Sequence, residues 1–161
     1  MNNSSLVEAL RSSRLGTELS QEQVATLAEH LSFRDLRADE VLVREGAPDN
    51  HLYVIVNGAL AVVRRAGTGD AVTLLTLTAG DLVGELSFID ETPHYASLVS
   101  IGPTRVFALE RERLEALLLT RPEIVYRVMR AIVRTVHEIQ RRISMQSAEL
   151  TNYIYKQHGK Y

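Results

Sequence analysis

The order of apolar and polar positions changes period twice along this chain. Near the start it is helical. Leu6 to Leu15 has the spacing of a short amphipathic helix. A second helix is expected to begin at Ser20, where Ser20 and Gln23 stand at capping-box spacing and Leu19 and Val24 at the spacing of a hydrophobic staple. Val24, Leu27, Ala28 and Leu31 then make one apolar stripe.

From Phe33 to Glu110 the apolar runs become short and rich in β-branched and aromatic residues. The pattern predicts strands at Ser32–Leu36, Val41–Arg44, His51–Asn57, Ala59–Arg64, Ala71–Leu77, Ala96–Ile101 and Thr104–Glu110. Turn residues separate them: Glu45 to Asn50, Asn57-Gly58, Gly67 to Asp70, Ala79 to Asp81 and Gly102-Pro103. Many short strands at this spacing predict a mainly β fold, a jelly-roll-like β-roll.

From Arg111 the helical period returns. Leu114, Leu117 and Leu118 form a short apolar face, and Thr120 to Glu123 has the form of a capping box with Pro122 in the first turn. A single helix of about 35 residues follows, about 50 Å long at 1.5 Å per residue. That is longer than one small roll can cover. Ile132, Val136, Ile139, Ile143, Gln146, Leu150 and Tyr153 alternate four and three apart, which is the seam of a two-helix coiled coil. The expected organisation is N-terminal helices over 1–31, the β-roll with its short helix over 32–120, and a long dimerisation helix over 121–161.

Composition narrows the function classes. The 161 residues carry a net charge of −2 and no cysteine. A disulfide framework, thiolate metal sites and cysteine nucleophiles are excluded, and a wholly basic surface for nucleic acid is absent. No run approaches a membrane span, and the first residues lack the pattern of a signal peptide, so a soluble cytoplasmic protein is expected.

Several motifs stand in a fixed order. Ala38-Asp-Glu40 precedes Val41-Leu-Val-Arg-Glu-Gly46; Asp49-Asn-His-Leu-Tyr-Val-Ile-Val-Asn-Gly58 follows; Gly80-Asp-Leu-Val-Gly-Glu-Leu86 comes next. In this order they resemble the cyclic-nucleotide-binding domain, the sensor module of catabolite activator proteins, kinase regulatory subunits and gated channels. The resemblance is tight over Leu36 to Leu109, and the flanking helices extend it to nearly all of the chain. It implies a phosphate-binding cassette over Gly84 to Ala96, with Gly84, Glu85, Leu86, Ser87, His94, Tyr95 and Ala96 as ligand-binding residues. Gly84 lets backbone approach the ligand, a turn at Leu86–Ile89 would aim N–H groups at a phosphate, and Glu85 matches the family glutamate on the ribose 2′-hydroxyl. The implied ligand is cyclic AMP or cyclic GMP.

The cassette departs from the family at its end. Where the family reads threonine-proline-arginine, this chain reads Thr92-Pro93-His94, and a shift of one places Tyr95 at the arginine position. No Arg or Lys lies between Leu86 and Thr104. Losing a forked, charged contact to phosphate costs a few kcal/mol. A histidine is cationic only under mildly acidic conditions, and a tyrosine adds a neutral donor. Three readings stay open: weak or altered nucleotide binding through His94 and Tyr95, binding of a different small ligand, and a module without a ligand.

Other chemistry finds little support in the sequence. His30, His51, His94, His137 and His158 show no metal-ligand spacing, no serine sits in a nucleophile elbow, and Gly67-Thr-Gly69 reads as a hairpin turn. Neither an enzyme nor a metal or cofactor is expected. Arg121, Arg127, Arg130, Arg134, Arg141 and Arg142 read as a solvated helix face. Ser147 to Tyr161 cannot hold the helix-turn-helix of the catabolite activators, so direct nucleic-acid binding is not expected, nor is a membrane. The expected function is a regulatory sensor module. It would act as a homodimer, with a small anionic ligand and a protein partner that the sequence does not identify. The alternatives are a ligand-free dimerisation or docking module on the same fold, and a truncated transcription regulator of the catabolite activator type.

Overall fold

The computed structural model describes residues 3–65, 67 and 69–158. The chain opens with α1 (Asn3–Arg11), a 3-10 turn at Gly16–Glu18 and α2 (Gln21–Ala28). Leu15 therefore lies beyond the first helix rather than ending it, though it is buried all the same. Both bonds of the Ser20–Gln23 capping box form, which fixes the start of α2. The α2 stripe of Val24, Leu27 and Ala28 is buried together with Leu31.

Eight strands follow: β1 (Leu31–Leu36), β2 (Val41–Val43), β3 (His51–Asn57), β4 (Ala59–Arg65), β5 (Ala71–Thr78), β6 (Leu82–Val83), β7 (Ser97–Ser100) and β8 (Thr104–Glu110). They form two antiparallel four-stranded sheets, ordered β1-β8-β3-β6 and β2-β7-β4-β5. The alternation of side chains decides the layers. On β3, Leu52 and Val54 turn outward to the helices while Tyr53 and Ile55 turn into the roll. On β8, Phe107 and Leu109 face outward, Val106 and Ala108 inward. The central strands β3 and β8 are thus buried on both faces, which explains their almost unbroken apolar runs, whereas the edge strand β1 leaves Ser32, Arg34 and Asp35 exposed.

Gly58, at the β3–β4 turn, has φ +83°, and a Cβ there would come within 2.5 Å of Thr104 Oγ1. The position demands glycine for conformation and for space.

Between β6 and β7 the chain forms α3 (Glu85–Asp90); after β8 come α4 (Arg111–Glu115) and α5 (Pro122–His158). Phe88 of α3 reaches past the roll into the outer core with Leu27, Leu52 and Phe107. α5 begins at Pro122, so Thr120 lies outside the helix instead of capping it; proline's fixed φ and missing N–H suit the first helical position.

The first turns of α5 belong to this core. Ile124, Val128, Ala131 and Ile132 are buried against α1, α2 and the first sheet. Ile132 is therefore spent on the chain's own core and is not open to a second helix, which corrects the expected seam at its first position. Val136 and Ile139 are half-buried and Ile143 is 56% exposed. The side chains of Gln146, Leu150 and Tyr153 fall outside the described residues.

Several arginines at and before the start of α5 are also tied to this chain. Arg130 (3.3 Å) and Arg134 both pair with the buried Glu18 carboxylate, Arg121 pairs with Glu22 and Glu123, and Glu138 pairs with Arg14. Arg121, Arg130 and Arg134 thus clamp the start of α5 to the N-terminal segment, while Arg141 and Arg142 are exposed, as a solvated face requires.

Candidate ligand-binding site

Gly84 lies between β6 and α3 with φ +86°, a backbone state that side chains resist. It is also a point of close approach: a Cβ would lie 3.0 Å from the His51 carbonyl, 3.4 Å from the Tyr53 ring and 3.7 Å from the His94 ring. The start and end of the cassette are thereby stacked on β3.

The end of the cassette is pinned to the β2–β3 turn. Gly46 N–H donates to the His94 carbonyl at 2.7 Å, His94 N–H donates to Ala47 at 3.1 Å, and Glu45 N–H donates to Ser97 Oγ at 2.8 Å. In between, Asp90 caps its own loop by accepting from the Thr92 N–H and hydroxyl, which lowers its pKa.

Gly84–Ser87 and His94–Ala96 line one cavity of about 140 Å³. Its walls are apolar, from Val62 and Leu77 to Leu98, and Ile139 of α5 lies across it. Tyr95 stands at the edge, 56% exposed, and does not fill the space. A second cavity runs beneath α5 between Glu85, Tyr95 and the helix residues Val136, Ile139 and Ile143. Burial raises the Glu85 carboxyl above the usual range, against the pull of the Glu85 and Gly84 N–H groups and His94. Burial, followed by the nearby Glu85 charge, raises the Tyr95 hydroxyl.

His94 is not a loop residue in solvent. It is buried to 8% exposure, and its Nε2 lies 3.8 Å from Asp49 Oδ2. That gap is too wide for a hydrogen bond, and both atoms are buried without one. The other Asp49 oxygen lies 2.9 Å from His51 Nδ1, and the His51 ring stacks on Tyr53. Burial pushes the Asp49 carboxyl up, but His94, His51 and Tyr53 outweigh it and bring it down to about 2. Burial, followed by the same carboxylate, pushes the Tyr53 hydroxyl well above its ordinary range.

Asp49 is the residue that sequence reasoning missed. Its signal was its place in the Gly46-Ala-Pro-Asp49 turn, directly before a strand that passes under the cassette.

A stability prediction follows from its lowered pKa. A carboxyl that is more acidic when folded stabilises the fold above its unfolded pKa of 3.8, and that contribution disappears as pH falls to about 2. Asp49→Asn should therefore cost about 1–2 kcal/mol at neutral pH. Urea unfolding should show the two proteins converging between pH 4 and pH 2. A difference that stays constant over that window would contradict the assignment.

A two-sheet roll with a cassette on its inner face and a helix across the cassette defines a ligand-sensing β-roll. Residues 33–121, more than half of the chain, match the profile of the cyclic nucleotide-binding domain. The chain belongs to that family, whose domains are regulatory rather than catalytic.

It is 31% identical over 111 residues to a CRP-like cAMP-activated global transcriptional regulator of Mycobacterium tuberculosis, covering 69% of this chain and 50% of that protein. It is 33% identical over 97 residues to a cAMP-dependent protein kinase regulatory subunit of Dictyostelium discoideum, covering 58% of this chain and 29% of the other. The chain therefore spans half or less of the length of these relatives. Among solved structures, a cyclic nucleotide-binding domain from Methylobacillus flagellatus superposes with a TM-score of 0.77 at 26% identity, covering 87% of this chain and 79% of the other.

Proposed function

We propose that this chain is a regulatory sensor module that binds a small ligand in the cassette and transmits its presence through α5, with cyclic nucleotides bound weakly. The observation that carries the reading is Ile139. It belongs to α5 yet lies across the cassette cavity, so filling or emptying that cavity changes what the helix packs on. The weak affinity for cyclic nucleotides rests on charge: among the described residues no Lys or Arg lines either cavity, and His94 is turned to Asp49.

The module acts as a homodimer through α5. Along α5, Tyr126, Val133 and Ile143 are exposed, Met129 and Val136 are half-buried, Met129 at the edge of the core, and Gln140 lies between them. They recur three and four apart and make a coiled-coil seam displaced around the helix from Ile132. Val136 and Ile143 also line the cavity under α5, so the pairing surface and the ligand space share side chains. That sharing gives a ligand leverage on helix pairing. It favours a sensor over a ligand-free docking module, as does the cassette cavity that Tyr95 leaves open.

Val133 is 60% exposed and touches neither cavity, which makes it the cleaner probe of the seam. Val133→Asp should convert a dimer into a monomer by sedimentation at micromolar concentration, with thermal stability of the roll unchanged. A persistent dimer would rule out this seam. Coupling is tested by hydrogen exchange. In a His94→Arg variant, saturating cyclic AMP should alter protection of the α5 amides around Ile139, and protection changes confined to the cassette would contradict the sensor reading.

A further inference from the structure

The cassette cavity has a definite chemistry. Its depth is walled by Val62, Leu77, Leu82 and Leu98, and its volume is about 140 Å³. An aliphatic-lined cavity of about 150 Å³ is known to stay dry and to accept a benzene ring. Its polar lining consists of one carboxylate, Glu85, the imidazole of His94, and Ser87, Thr92 and Tyr95.

Among the described residues, no Lys or Arg lines this cavity or the one beside it. The nearest cationic candidate, His94, directs Nε2 at Asp49. An anionic ligand would meet Glu85 with no cation opposite it beyond the His94 ring that already faces the Asp49 carboxylate, and a poorly compensated charge in an apolar cavity is costly. A ligand with N–H donors would instead satisfy a carboxylate that burial already disfavours in its charged form.

Resting on the sensor reading of this site, we infer that the cavity takes an uncharged or cationic single-ring compound bearing N–H donors. The ring sits among the leucines and valines, and the donors sit on the Glu85 carboxylate. The existing cavity holds the ring without rearrangement, and any larger substituent leaves toward Tyr95 and the space under α5.

Benzamidine, benzamide and benzoate share one ring and differ mainly in charge and donors. Each is titrated into the unmodified chain and followed by the methyl resonances of Leu82, Leu98 and Ile139. Benzamidine and benzamide should shift these methyls saturably at millimolar concentration, and benzoate should bind at least about tenfold more weakly. Glu85→Gln should lower benzamidine affinity about tenfold and leave benzamide near its original value.

If Glu85→Gln does not fold by thermal unfolding, the ranking of the three probes on the unmodified chain still decides. Benzoate binding as tightly as benzamidine would overturn the inference. So would shifts confined to exposed methyls, or no cavity shift with any of the three. The sensor reading fails separately: cavity methyls that respond while Val133 and Ile143 stay unmoved would leave the ligand class intact and remove the coupling.

Discussion

Replacing His94 with arginine should raise the affinity for cyclic AMP by about one to two orders of magnitude, since a forked charged contact to phosphate contributes a few kcal/mol. The structure supplies the means to orient that arginine. Asp49 Oδ2 is buried and lacks a hydrogen bond, because the imidazole of His94 stops 3.8 Å short. A guanidinium at this position is longer and has five donors. It can satisfy the Asp49 oxygen with one side of its fork and present the other to the cavity.

The gain should therefore depend on Asp49. In the His94→Arg background, Asp49→Asn should remove most of it, because an arginine without that partner is free to leave the site. Calorimetry on the three proteins measures both effects. If His94→Arg binds cyclic AMP no better than the unmodified chain, the absent cation is not what limits binding.

Phe88→Ala is expected to have the largest effect on stability. Phe88 is 1% exposed and connects α3 to the outer core, where it meets residues of α2, β3 and β8. Emptying such a site costs about 3–5 kcal/mol, since both transfer energy and a cavity are involved. A domain with roughly 5–15 kcal/mol in total loses a large part of its margin. For a chain of this size the midpoint of thermal unfolding should fall by on the order of 10 °C. Leu119, 96% exposed, is the control: Leu119→Ala should stay within about 0.5 kcal/mol. A Phe88→Ala midpoint within a few degrees of the unmodified chain would mean that the cassette is not anchored through this side chain.

Much of this architecture was legible in the sequence because it is written in local periods. His51–Asn57 and Thr104–Glu110 form strands with the expected bounds, since alternation and flanking turn residues agree there. The Ser20 capping box was readable for the same reason: its partners lie three residues apart. Leu82–Val83 escaped because a two-residue strand has no period to detect. Leu15 was drawn into a helix because apolar spacing does not register the turn that ends α1 at Arg11.

The site was legible as a motif but not as a cluster. Gly84 and Glu85 announced the cassette, whereas Asp49 and His94 are 45 residues apart and meet only because the β2–β3 turn and the cassette end are hydrogen-bonded together. Spacing also cannot say which partner an apolar stripe meets. On α5 the core stripe of Ile124, Val128 and Ile132 and the outward line of Tyr126, Val133 and Ile143 interleave. One heptad reading ran across both. The role of Ile139 over the cassette needed the fold, because it depends on the angle at which α5 leaves the roll.

The most direct test of the account is calorimetric titration of the unmodified chain with cyclic AMP near neutral pH. A cassette with its glycine and glutamate in place but no Lys or Arg among its described lining residues should show no saturation below about 0.1 mM. Saturable binding at low micromolar concentration, with shifts at Leu98 and Ile139, would contradict it and would mean that His94 and Tyr95 hold the phosphate without an arginine.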